Sequence, residues 1–237
     1  MPYQAEYDEL SRICGGNSGE VLSAHTTCQD NNYLVGYRKI INAYGPLLPK
    51  EWMDRLTRKD VYELPLAQHR KLITARWRQF TESALRGPDT YVFDCCFIQN
   101  PVTMGMIRHD AAEAEEYMIS YIQELEAIIK PLNPLLFVIE QDDLEQAFRK
   151  AVHGRPLEWS DGFIEYYTSQ GYGLRQGFQG LEGTLEVLKS RSKLEDNIYN
   201  LLSLNKTKVN NSAYALGVYK QVLKDRLVAW RNHSAGS

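Results

Sequence analysis

The sequence predicts an α/β fold, helix-rich, with a parallel sheet as the middle of three layers and helices on both faces. Three observations carry that expectation. Residues 91–98 and 135–139 are short, nearly uninterrupted apolar runs bounded by turn residues, the pattern of strands buried on both faces. Between them, residues 113–130 repeat apolar side chains at helical spacing, with acids in the first turn and Pro131 at the end. A further helical stretch follows the second run, and strand, helix, strand, helix is the order that makes parallel neighbours.

Bulk properties exclude several classes. The chain has 237 residues, 43% hydrophobic and 24% charged, with a formal net charge of −3. That balance is ordinary for a globular domain and gives neither nucleic acid nor a membrane surface an electrostatic reason to bind. The N-terminus lacks signal-peptide character and no run is long enough to span a bilayer. The four cysteines (Cys14, Cys28, Cys95, Cys96) have no zinc-like spacing, and a reducing cytoplasm is expected.

In chain order, residues 1–61 read as an irregular N-terminal segment, with a short helix at 6–13 and another from Lys50 to Thr57. CGGNSGE has the glycines of a phosphate loop but neither its Gly-Lys-Ser/Thr ending nor an apolar strand before it, so it reads as a turn. Residues 33–41 fit a strand or a helix start. The core runs over 62–230. Residues 66–86 form a helix with a basic face that includes Arg70 and Arg78, either solvated or meeting an anionic ligand. In the run YVFDCCFIQNP, Asp94 is the one acid among apolar neighbours; a carboxylate there is costly unless paired or placed at a strand's exposed carboxyl end, where α/β sheets bind ligands. After the 135–139 strand, Asp142 is placed to cap a helix to about His153, which sets Arg149 and His153 on one face beside Lys150. Residues 154–183 hold seven of the sixteen glycines among aromatic residues and read as a mobile lid or a surface excursion. Thr184 is placed to cap a helix to 202, residues 206–212 suggest a polar edge strand, 213–230 a closing helix, and 231–237 a tail.

Several of these pieces together resemble the P-loop kinase-like proteins, including the nucleoside and thymidylate kinases. They are YVFDCCFIQNP, the preceding ELPLAQHRKLITARWRQF, PLLFVIEQDDLEQAFRKAVHGRP, the lid-like segment and VNNSAY, covering about 62–230. The resemblance implies Asp94 as base toward an acceptor hydroxyl or as an orienter of magnesium, and Arg149 and Arg155 as stabilisers of the transferring phosphoryl group. It implies Gln99, Lys150 and His153 as substrate contacts, ATP and Mg2+ as cofactors, and a nucleoside-like or other hydroxyl acceptor. The family's opening strand and GxxxxGK[ST] loop are not found in this sequence, so the resemblance implies a phosphotransferase relative that is truncated or impaired. The alternative is a non-catalytic binding protein that retains the acceptor pocket.

Overall fold

The structure is a computed structural model that describes residues 4–14, 17–29, 32–45, 50–108 and 114–234. The chain divides into two compact units, Met1–Leu64 and Pro65–Ser237.

In the first unit the stretch expected to be irregular carries regular elements. These are helices α1 (Gln4–Cys14) and α2 (Asn17–Ala24), strands β1 (Thr26–Gln29) and β2 (Asn32–Val35), and helices α3 (Tyr37–Tyr44) and α4 (Lys50–Thr57). The two strands pair antiparallel, Thr26 opposite Val35 and Gln29 opposite Asn32. Residues 33–41, which fit strand or helix, supply both. Leu10, Leu22, Ile40, Trp52 and Leu56 form the unit's own core, and Tyr7 stacks on Tyr33 with ring centroids 4.4 Å apart. Of CGGNSGE, Cys14 ends α1, residues 15–16 lie outside the described residues, and the remainder starts α2.

The second unit is built around α5 (Leu66–Ala84), α6 (Gln99–Arg108), α7 (Ala114–Ile129) and α11 (Gly180–Leu201). The helical spacing of α7 becomes its buried face: Met118, Tyr121, Ile122 and Leu125 are fully enclosed. A Cβ on Gly105 of α6 would sit 2.3 Å from the Met118 sulfur, so only glycine admits this approach of α6 to α7. The basic face of α5 is partly spoken for: Arg70 donates to Glu124 on α7 at 2.9 Å, Arg78 to the same carboxylate at 2.6 Å, and Arg70 also lies over the Tyr117 ring.

The glycine-rich stretch folds into α9 (Leu157–Thr168), α10 (Gly171–Arg175) and the start of α11 rather than an irregular excursion, with α8 (Leu144–His153) before it. Its glycines serve packing. Gly171 holds φ +53°, and a Cβ there would meet Ile107 at 2.5 Å; one on Gly173 would meet the Tyr167 carbonyl at 2.0 Å. Phe163 bridges Phe148, Trp159 and Tyr167 with centroid separations of 5.4, 5.1 and 4.7 Å. Thr184 lies inside α11, where its hydroxyl donates to the Gly180 carbonyl, and Gln179 is the residue at the cap. For α8 the cap is Asp143, accepting from the Gln146 amide at 2.8 Å, not Asp142.

The sheet of this unit has two strands among the described residues. β3 (Leu135–Glu140) and β4 (Asn205–Asn210) run parallel, Leu135 opposite Asn205 and Glu140 opposite Asn210. Buried Glu126 fixes the entry to β4, accepting from the Leu204 amide at 2.7 Å, from the Ser203 amide, and from the Ser203 hydroxyl at 3.1 Å. Lys206 donates to the Tyr199 and Leu202 carbonyls, satisfying the C-terminal end of α11 where the helix dipole favours a cation. Helix α12 (Leu216–Ser234) follows. The chain is thus helix-rich with, among the described residues, one parallel strand pair, compatible with α/β.

The expected strand at 91–98 does not form. Residues 88–93 are non-helical and unpaired in any sheet, 94–98 turn, and Gln99 opens α6. The causes are local. Cys95 holds φ +62°, outside the strand region. Its thiol donates to the Asp94 carboxylate at 3.2 Å, and the Cys96 thiol donates to the Asp94 carbonyl at 3.1 Å. The aromatic side chains instead pack on α5: Phe93 lies 4.9 Å from both Trp77 and Phe80, and Tyr91 lies 5.0 Å from Phe80.

Candidate functional site

The residues singled out in the sequence fall in three places. Asp94 is exposed in the 94–98 turn, and Gln99 is the exposed first residue of α6. Asp94 is therefore not an acid at the carboxyl end of a buried strand. Beside it, burial, then the Asp94 carboxylate, push the Cys95 thiol up to about 11, with the Arg191 guanidinium pulling partly back. Burial and Asp94 also raise Cys96. Neither thiol is a ready thiolate nucleophile at neutral pH.

Arg149, Lys150 and His153 do share a face of α8, where they line a shallow surface depression with Asp143, Glu145 and Gln146; Asp94, Gln99 and Arg155 are not part of it. The Arg149 guanidinium is already engaged, donating to Glu182 at 2.7 and 2.8 Å and to Glu145 at 2.9 and 3.0 Å. Glu182 first, then Glu145, hold its pKa above the usual value. Two carboxylates on one guanidinium leave little net positive charge to attract a phosphoryl group. Lys150 sits over the Tyr214 ring at 3.5 Å, and Arg155 over Trp159 at 4.0 Å. Among the described residues no group of three or more His, Cys, Asp or Glu is placed to hold a metal ion. Arg149 is thus held by two carboxylates, and Arg155 lies against an aromatic ring.

A more enclosed and more apolar concave feature lies elsewhere in the unit. A groove of about 470 Å³ runs between α5, the 89–93 segment, β3 and α12. Trp77, Phe80 and Ala84 of α5 form one wall, and Leu223, Leu227 and Trp230 of α12 another. Leu135, Leu136 and Phe137 of β3 line it, as do Tyr91, Val92, Phe93 and Phe97. Asp89, Thr90 and Asn133 are the polar residues on its lining. Its volume falls within the range of ligand pockets, and its walls are more uniformly apolar than a catalytic cleft needs. Val92 is 91% exposed, Phe93 49% and Tyr91 47%. Contiguous exposed apolar side chains of this kind are a feature that binding surfaces share. The groove holds no nucleophile paired with a base, and Asp89 is its one carboxylate.

Sequence reasoning did not find this groove because its walls come from five separate stretches between Trp77 and Trp230. The signal it offered was the run at 91–93, three apolar residues that a strand would have buried.

Comparison with known proteins adds nothing to the geometry: no family model, no curated protein and no solved structure matches the chain. Among the described residues no helix is long and apolar enough to cross a membrane.

Proposed function

We propose that this chain is a binding protein whose working surface is the apolar groove of its second unit, rather than a self-sufficient catalyst. The observation that carries the reading is the groove itself: about 470 Å³ lined by aromatic and aliphatic side chains, several of them half exposed. Each such side chain removed from water by an occupant contributes about 1.5–3 kcal/mol when fully covered, so a few of them suffice for a stable complex. Of the residues expected to do phosphoryl chemistry, Arg149 is held by Glu182 and Glu145, and Arg155 lies over the Trp159 ring.

Titration with the polarity-sensitive dye 1-anilinonaphthalene-8-sulfonate tests it. Saturable, blue-shifted fluorescence is expected from a protein that melts cooperatively, and Phe93→Asp is expected to weaken it at least tenfold with the melt retained. A cooperatively folded protein that leaves the dye dark sinks the reading, as does a Phe93→Asp variant that binds as well as its parent.

A second reading keeps a nucleotide-dependent phosphotransferase relative of P-loop-kinase type with a three-layer sheet. One observation favours it. β3 and β4 run parallel and end at a polar cluster, with the Ser212 hydroxyl and the Asp142 amide 2.7 Å apart and Asn210 donating to the Asp142 carboxylate. The carboxyl ends of parallel strands are where α/β sheets take ligands. A thermal melt with and without millimolar Mg-ATP decides it: ligand at about a hundred times Kd adds roughly 2.7 kcal/mol, and an unmoved transition removes this reading.

A further inference from the structure

Resting on the groove reading, we infer that the ligand of the groove is a free amphiphile with an anionic head group, a long-chain carboxylate or its sulfate or sulfonate counterpart. Its apolar tail lies in the groove and its head against α12. Three observations lead there.

The first is the charge of α12. Lys220, Lys224, Arg226 and Arg231 stand against one acid, Asp225, which leaves a formal +3 on a helix of a chain whose net charge is −3. All four cations are exposed. Among the described residues none of them has a carboxylate at ion-pair distance, whereas Arg70, Arg78 and Arg149 each do. The helix is not built to neutralise itself. The residues three and four positions from Asp225 are Gln221, Val222, Val228 and Ala229, and its carboxylate accepts from the Gln221 side-chain amide at 2.8 Å.

The second is where those cations stand. Leu223, Leu227 and Trp230 are the α12 residues that line the groove. Helical spacing sets Lys220, Lys224 and Arg231 along one flank of this apolar wall, each three or four residues from Leu223 or Leu227. Arg226 takes the other flank, three residues from Leu223 and four from Trp230. Lysine and arginine stems lie along apolar surface and keep their charge at the water boundary, which is where the head of a seated amphiphile sits.

The third is the charge of the lining itself. Asp89, from the segment after α5, is its one carboxylate, and Thr90 and Asn133 are its other polar residues. An anionic head is repelled from Asp89 and drawn to α12, so the two walls orient the molecule. A cationic head meets one charge in its favour and four against it, and an uncharged ligand gains from neither. A groove of about 470 Å³ has the size of a ligand pocket, which favours a free amphiphile over a bilayer surface.

The probes are two dyes that share their rings, 1-anilinonaphthalene-8-sulfonate and the uncharged N-phenyl-1-naphthylamine, with dodecanoate and dodecyltrimethylammonium as competitors and the full chain as receptor. Dodecanoate is expected to displace the dyes at concentrations about tenfold lower than dodecyltrimethylammonium does, a preference that shrinks in molar salt. Replacing Lys220, Lys224 and Arg231 together by glutamine is expected to weaken dodecanoate about tenfold while the melt and the affinity for the uncharged dye hold. Asp89→Asn is expected to tighten dodecanoate. Equal displacement by the two competitors, or dodecanoate binding that the triple variant leaves unchanged, overturns the anionic head and leaves the groove reading intact. Failure of both dyes to bind a cooperatively folded chain overturns both. Flotation with phosphatidylglycerol vesicles that dodecanoate does not compete away assigns the cations to a bilayer surface and overturns the free amphiphile.

Discussion

Two apolar runs of similar composition meet opposite fates in this molecule. LLFVI at 135–139 is a strand, while YVF at 91–93 is an exposed segment that ends in a turn at Cys95. β-Propensity does not separate them, since both are rich in aromatic and branched side chains. The difference is the neighbour. β4 is delivered alongside 135–140 by the Glu126 clamp and by α11, so the β3 backbone finds a ladder. Among the described residues no strand pairs with 91–93, and its rings settle on Trp77 and Phe80 instead. A strand is a property of a pair, and an apolar run alone records only that a surface wants cover.

That comparison is open to attack from both sides. The strongest blow falls on the clamp. Glu126→Ala leaves the partly buried Ser203 and Leu204 amides without their acceptor and should cost about 2 kcal/mol in urea denaturation. The amides of 135–140 should then exchange as freely as those of 91–93; retained protection would show that β4 holds its place without Glu126. Next is the attachment of the other run. Trp77→Ala removes the ring that Phe93 and Phe97 pack against, and about 2 kcal/mol of stability should go with it. Limited proteolysis should then cut first between 88 and 97.

A smaller change discriminates turn from strand directly. A β-branched residue favours a strand, yet at φ +62° it clashes, so Cys95→Val should lower stability by about 1 kcal/mol. An increase in the melting temperature would restore the strand at 91–98. The smallest effect concerns Glu195, whose neighbour Arg191 acts on the Cys95 turn. Burial raises the Glu195 pKa above the ordinary glutamate value, Arg191 at 3.3 Å opposing and Asp196 adding to the rise. In the window between the two values the folded protein keeps a proton that the unfolded chain releases. Stability is therefore highest below the usual glutamate range and falls as pH rises through the folded value. Glu195→Gln should flatten that slope, by well under about 1 kcal/mol, in melts followed from pH 4 to 7.

Helices α5, α7, α8, α11 and α12 were legible because apolar spacing is read directly as burial, Tyr121, Ile122 and Leu125 of α7 being the clearest instance, whereas α6 was not foreseen. β3 and β4 were legible from composition and polarity. The stretch 154–183 was not, because glycine signals freedom in a sequence and served close contact here, as Gly173 against Tyr167 shows. On α8 the sequence places Arg149 and His153 on one face by spacing alone. What it does not reveal is Glu182, thirty-three residues further on, which takes up the guanidinium. Spacing along one element is local information, and the neutralising partner is a tertiary fact.

Gly105 gives the molecule an unplanned chemical clock. The Met118 sulfur occupies the space a Cβ at 105 would claim, and its side chain is wholly enclosed. A sulfoxide adds an oxygen for which that seat has no room, so peroxide reaches this methionine only when α6 lifts from α7. The rate of sulfoxidation at position 118, followed by peptide mass, counts those opening events.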